Sequence, residues 1–130
     1  MILLDTHIWI WWISDDSKLS KNYIQLIKDN ESDNLCISMI SIWELTRLFQ
    51  KGRLSFNVPL LEWIDDAIRY PGMKVLNLSK EIILHTTKLE NFHKDPADQL
   101  IVSTSIVENI PLLTMDKRIL KYKLVQTLTP

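Results

Sequence analysis

Ile2-Leu3-Leu4-Asp5-Thr6-His7-Ile8-Trp9-Ile10-Trp11-Trp12-Ile13 holds a strand, a turn and a helix in its opening residues. Three successive apolar residues ending on an aspartate suit a short strand buried on both faces, because a one-sided strand would alternate apolar with polar. Thr6 to Ile13 reads as a helix, and Asp5 stands where a carboxylate can meet its first free N–H groups. The same succession recurs downstream. Leu35 to Ser38, Val75 to Leu78 and Leu112 to Thr114 are the next strand candidates, with a last one near Val125.

The segments between them carry helical signals. Ser20 can cap a helix that buries Tyr23, Ile24 and Ile27 and ends in the polar run Asp29 to Asn34. Ser41-Ile42-Trp43-Glu44 has capping-box spacing and opens a helix to Lys51, stopped by Gly52. Pro59 suits a first helical position ahead of the stripe Leu60, Trp63, Ile64 and Ile68. Ser79 can cap Lys80 to Leu89, Asp95-Pro96 marks a sharp helix start that Pro111 later breaks, and Lys117 to Tyr122 is a short helix. Strands alternating with helices this regularly predict an α/β three-layer sandwich around a central, mainly parallel sheet.

At 130 residues the chain fits a single domain, 1–130, with no room for a second core. Hydrophobic residues at 46% and charged residues at 24% are ordinary for a globular fold and argue against disorder. A net charge of −1 excludes the basic footprint of a general nucleic-acid coat protein. It leaves a nuclease open, because divalent cations reverse the sign of a site locally. Cys36 is the only cysteine, so no intrachain disulfide forms; a buried thiol in a reducing cytoplasm is expected. The apolar N-terminus lacks a basic start and a small-residue cleavage site, and no segment reaches the roughly 18 apolar residues of a membrane span. A soluble, cytoplasmic protein is the expectation.

The chemistry concentrates in Asp5, Glu44, Asp98 and Asp116. Taken singly, each has a structural explanation: Asp5 and Asp116 as caps, Glu44 in the capping box, Asp98 in a first helical turn. Taken together, they stand after strand one, at the helix following strand two, at a later helix start and after strand four. In an open parallel sheet those places share the edge beyond the strands' carboxyl ends, where ligands bind. Carboxylates gathered there repel, and some are driven to protonate. A hard divalent cation, Mg²⁺ or Mn²⁺, removes that penalty and prefers oxygen ligands. Such a cation can generate a nucleophile from water and polarise a phosphate. No G-x-S-x-G elbow and no Walker-type loop offers a different chemistry.

Leu3-Leu4-Asp5-Thr6-His7-Ile8-Trp9, Ile40 to Leu45, Asp95-Pro96-Ala97-Asp98-Gln99-Leu100-Ile101 and Leu112-Leu113-Thr114-Met115-Asp116 together resemble the PIN-domain family, in its order and over nearly the whole chain. The size is that of the VapC-like toxin branch. The resemblance implies a metal-dependent endoribonuclease using Mg²⁺ or Mn²⁺, acting as the toxin of a toxin–antitoxin pair. It also implies an RNA substrate, a homodimer and inhibition by a small cognate antitoxin. Asp5, Glu44, Asp98 and Asp116 match the family's acidic set, Asp5 and Asp98 as direct ligands, Glu44 and Asp116 direct or through water. Asp95 is an extra acid read mainly as the cap before Pro96. Gln99 departs from relatives that often carry a basic residue there, which speaks against a phosphate or ion-pair role at that position and leaves the metal site untouched.

Supporting residues follow from placement. Thr6 and Thr114 stand beside the acids and can orient a ligand or water, or serve as turn hydroxyls. Lys117, Arg118, Lys121 and Lys123 follow Asp116, and Arg47, Lys51 and Arg53 follow Glu44; these either hold RNA phosphates, Lys117, Arg118 and Arg47 first among them, or form a solvated face. Trp9, Trp11, Trp12 and Ile13 make the first helix apolar nearly all round, for core packing with a remainder left for a dimer or antitoxin surface. His7 and His93 flank acids and stay outside the expected mechanism, since a histidine bonded to local backbone is commoner than a ligand. Two rival functions remain: a non-catalytic RNA- or protein-binding module, which would gain nothing from clustered like charge, and an aspartyl-phosphate phosphatase, which usually wants an acid where His7 stands.

Overall fold

Leu3 points to one side of the central sheet and Leu4 to the other, and that alternation organises the molecule. The computed structural model describes residues 1–130 apart from the side chain of Asp33. Four strands, β1 (Ile2–Leu4), β2 (Leu35–Ser38), β3 (Met73–Leu76) and β4 (Leu112–Leu113), form one sheet in the order β3-β2-β1-β4. Every pairing is parallel, with Ile2 opposite Leu35, Leu3 opposite Leu112 and Cys36 opposite Lys74. Seven α-helices connect and cover it: α1 (Thr6–Ile13), α2 (Lys21–Asp29), α3 (Met39–Gln50), α4 (Leu60–Ile68), α5 (Lys80–His85), α6 (Pro96–Glu108) and α7 (Lys117–Leu120).

The strand order dictates which face each helix covers. From β1 to β2 to β3 the chain moves one way across the sheet; from β3 to β4 it returns past β1. Right-handed crossovers in opposite directions place their helices on opposite faces. Two cores result. Leu4, Ile37 and Leu113 pack with Ile8, Trp9, Ile27 and Leu45 on one side. Leu3, Cys36 and Leu112 pack with Ile101, Val102 and Ile119 on the other. The expected three-layer α/β sandwich is what forms, and the reversal lies between β1 and β4.

Several boundaries differ from the sequence reading, each for a local reason. Helix α3 begins at Met39, because Ser38 at the end of β2 caps it directly, its hydroxyl accepting from the Ile40 N–H at 3.2 Å. Ser41 and Glu44 are therefore helix-interior residues and not members of a capping box. Pro59 is the cap of α4 and not its first residue. Ser20 precedes α2 without a side-chain cap bond. Strand β3 starts at Met73, two residues early, because Gly72 makes the turn into it. Its φ is +82°, and a Cβ there would sit 2.5 Å from the Glu31 carbonyl oxygen. Helix α5 ends at His85, with a 3₁₀ turn over Thr86–Lys88. The last strand expected near Val125 is a single bridge between Leu112 and Thr127. Cys36 is a buried free thiol, and burial pushes it up to about 11. Among the described residues, no helix is long and apolar enough to cross a membrane.

Candidate active site

Asp5 leaves the end of β1 and caps α1, and both of its oxygens are already engaged. Oδ1 accepts from the Thr6 N–H at 2.8 Å and Oδ2 from the Thr114 hydroxyl at 2.7 Å. Thr114, at the end of β4, also accepts from the Asp116 N–H at 3.0 Å. One hydroxyl thus ties together the two strands that flank the topological switch point, the place where an open parallel sheet receives ligands.

Thr6 does the same on the other side. Its hydroxyl donates to Glu44 Oε1. Having one proton, it must then accept from Ser41, whose hydroxyl lies 2.8 Å away. Ser41 and Glu44 sit three residues apart on α3, so both face α1. The S-x-x-E spacing is real, but it serves a contact between helices and not a helix start.

Asp98 stands in the first turn of α6. Asp95 caps that helix, its Oδ1 accepting from the Asp98 N–H at 3.1 Å, and Pro96 needs no partner for a missing N–H. Asp98 Oδ2 pairs with His93 Nε2 at 2.6 Å. A carboxylate only accepts, so this imidazole nitrogen carries the proton. The Phe92 ring lies against His93, with centroids 4.2 Å apart, and Tyr122 meets Phe92 edge-on. Gln99 Nε2 donates to the His93 carbonyl at 3.1 Å, so Gln99 holds the loop carrying His93. Sequence reasoning leaves His93 aside; its place five residues before Asp98, across a proline-started helix turn, is the signal that would have found it.

Asp116 caps α7 and is gripped by Arg118, whose Nη2 is 3.2 Å from Asp116 Oδ2 and 3.6 Å from Asp98 Oδ2. The Arg118 side chain is 60% exposed, so it can swing away from both.

Asp5, Glu44, Asp98, Asp116, Asp95 and Arg118 line one cavity of about 360 Å³, with His7, Ile8, Trp11 and Met115 as further wall. The sequence reading did not single out Ile8, Trp11 or Met115 for this role. Lys117 is exposed and lies outside this lining, and Arg47 borders a neighbouring space. His7 stacks at a tilt on Trp11 at 5.6 Å.

The electrostatics record the cost of this gathering. Burial, with Asp98 adding repulsion, pushes Asp5 up to about 6 despite its bond from Thr114. Burial pushes Glu44 up to about 7, and Asp5, Asp98 and Asp95 add to the rise. Asp98 is raised by burial and by its acidic neighbours Asp95 and Asp116, against the bond from His93. Burial alone would also raise Asp116, but the bonds and charge of Arg118 outweigh it and bring that acid below its usual value.

Among the described residues, no three acidic, histidine or cysteine side chains converge as they stand to hold a cation. The reason is visible: threonines hold Asp5 and Glu44, His93 holds Asp98, and Arg118 spans Asp98 and Asp116. Each ionised carboxylate still keeps free lone pairs, having about four acceptor sites. The donor set is all hard oxygen, it is short of positive charge, and its one guanidinium is largely exposed. Those properties fit Mg²⁺ or Mn²⁺ in chemistry, with side-chain rotation completing the geometry.

A family model described as the PIN domain matches residues 2–124. Ribonuclease VapC22 of Mycobacterium tuberculosis is 28% identical over 123 residues, covering 94% of this chain and 92% of that protein. A chain of the VapBC2 complex from Rickettsia felis, solved with a DNA fragment from its promoter, superposes with a TM-score of 0.74 at 18% identity over 98% of both chains. A chain of a toxin–antitoxin complex from Klebsiella pneumoniae gives a TM-score of 0.68 at 18% identity, covering 98% of this chain and 97% of that one. At such identities the two structures speak to the fold alone.

Proposed function

The chain belongs to the PIN-domain family, and from that premise we propose that it is a metal-dependent endoribonuclease, the toxin of a toxin–antitoxin pair. The observation that carries the reading is the single cavity at the switch point, where Asp5, Glu44, Asp98 and Asp116 meet and burial and mutual repulsion raise three of them. Carboxylates crowded at such expense are poised for a cation, beyond the helix caps that Asp5 and Asp116 supply. The similarity to a ribonuclease supports RNA as substrate. An antitoxin partner is part of the same proposal, the fold being one that a chain of a toxin–antitoxin complex also has. A homodimer, a cytoplasmic location and a single PIN-like unit over 1–130 complete the proposal.

When bound, Mg²⁺ or Mn²⁺ would supply charge for the phosphoryl oxygens and a water of lowered pKa as nucleophile. Asp5 and Asp98 would hold it directly, with Glu44 and Asp116 direct or through water. Thr6 aims Glu44, Thr114 aims Asp5, and His93 fixes the rotation of Asp98, the kind of outer support that keeps ligands in one geometry. Asp95 acts through the cap of α6, which sets where Asp98 emerges. Arg118 is placed to meet the phosphate once a cation takes over its role between Asp98 and Asp116, with Lys117 and Arg47 as further phosphate contacts.

The test is cleavage of total RNA by the purified, antitoxin-free protein with Mg²⁺ or Mn²⁺, beside an EDTA control and Asp98→Asn. Cleavage that disappears in both controls is expected. A protein that neither cuts RNA nor binds Mn²⁺ would overturn the proposal in favour of a binding module.

A further inference from the structure

Next to the acidic cavity lies a second one, of about 200 Å³, walled by Trp43, Glu44, Arg47, Leu48, Lys51 and Asp95 among others. Glu44 and Asp95 line both spaces, so the two adjoin. Trp43, the residue before Glu44 on α3, is 49% exposed. A single exposed apolar residue is unremarkable; this one stands with two cations. The Arg47 guanidinium lies over the Trp43 ring, 5.5 Å from its centroid, which shows that the ring face admits a flat group. Among the described residues, neither Arg47 nor Lys51 makes an ion pair. Arg118, the cation nearer the acids, is by contrast committed to Asp116 and Asp98.

We propose that Trp43, Arg47 and Lys51 form a subsite for one unpaired nucleotide of the RNA strand, its base stacked on Trp43 and its phosphate held by the two cations. The inference rests on the nuclease reading above and adds to it how the strand is received. A chain of net charge −1 with an acidic centre repels a polyanion, so the strand needs a cationic approach beside the bond to be cut. An aromatic ring next to cations is the usual platform for single strands, because every unpaired base offers a free face. A base in a duplex has both faces covered, and A-form grooves expose mainly backbone and hydroxyls. The incoming base takes the place of the guanidinium, releasing Arg47 toward the phosphate. Stacking of this kind is sequence-tolerant, so the subsite selects single-stranded over paired RNA and not one base over another.

The experiment uses a mixed-sequence RNA oligonucleotide, single-stranded and annealed to its complement, with metal supplied. In Trp43→Ala, KM for the single strand should rise roughly tenfold, the loss falling mainly on KM. Trp43→Phe should recover most of it. The oligonucleotide should quench tryptophan fluorescence in the parent protein and much less in Trp43→Phe, although that variant still binds. Arg47→Gln with Lys51→Gln should flatten the salt dependence of binding. Cleavage with unchanged KM in Trp43→Ala overturns the subsite and leaves the nuclease standing. No cleavage by the parent protein overturns the nuclease reading, while the quench still reports on the subsite by itself. If Trp43→Ala instead weakens self-association or antitoxin binding, with RNA affinity intact, the surface belongs to a protein partner and the proposal falls.

Discussion

Thr6 carries more of the site than its size suggests. Its hydroxyl is buried between Ser41 and Glu44, donating to one and accepting from the other. Thr6→Val keeps the shape and removes both bonds, leaving the fully buried Ser41 hydroxyl without its Thr6 partner and Glu44 free to rotate. A buried polar group left unsatisfied costs about 1–3 kcal/mol, and losing such outer support typically lowers metal affinity or activity about 10–100-fold. Thr6→Val is therefore expected to lose stability in urea and cleavage rate together, whereas Thr6→Ser should keep most of both. Full cleavage by Thr6→Val would remove Thr6 from any orienting role. At this scale the sequence was partly readable. Asp5, Asp98 and Asp116 stand out because each follows a strand or opens a helix, positions that can be found from apolar runs and caps alone. His93 does not, because its bond to Asp98 depends on a loop held by Gln99 and on a Phe92–Tyr122 contact between residues far apart in the chain. Spacing also misled at Ser41 and Glu44: a capping-box pattern and a same-face pair on one helix look alike until the neighbouring helix is known.

Helix α3 follows β2 with no intervening loop, and Ser38 makes the junction. It is the last residue of the strand, it is fully buried, and its hydroxyl caps the helix that brings Glu44 to the cavity. Ser38→Ala should cost about 1 kcal/mol, the usual worth of a cap, read as a lower denaturation midpoint with unchanged slope. Since α3 also packs on α1 and α6, Glu44 should stay in place and cleavage well below the melting temperature should persist. A collapse of activity in Ser38→Ala at full folding would mean the cap itself sets the Glu44 position. The element order was legible because buried strands leave short apolar runs between polar turns. Boundaries were less so, for the reason Ser38 shows: one residue serves as strand end and helix cap, and composition cannot divide those roles. The 3₁₀ turn after α5 and the single bridge at Thr127 are set by neighbours distant in sequence, which local pattern does not report.

For the whole molecule, the acidic cavity makes stability depend on pH and on metal in opposition. Asp5, raised to about 6, and Glu44, raised to about 7, keep protons in the folded protein that the unfolded chain has already released. Between their ordinary values and those raised ones, the folded state binds more protons than the unfolded state, so stability falls as pH rises. Their stabilising contribution is complete below the ordinary carboxylate range and gone once pH passes about 7. Asp116, lowered by Arg118, acts the other way: its contribution is present above the ordinary value and lost only in stronger acid. The metal-free protein should therefore melt several degrees lower at about pH 8 than at about pH 5.5, Asp5 and Glu44 together accounting for on the order of 2–3 kcal/mol, the larger share from Glu44. A cation held by these carboxylates favours their charged forms and should close the gap, Mn²⁺ raising the melting temperature far more at the higher pH. Asp5→Asn should lessen the pH dependence, leaving the share due to Glu44, and weaken the response to Mn²⁺ at once, because the same buried carboxylate contributes to both. A metal-free profile with no slope between those pH values would mean the acids are not strained in the folded chain. A cation would then have no repulsion to relieve, and the central argument for metal at this site would be lost.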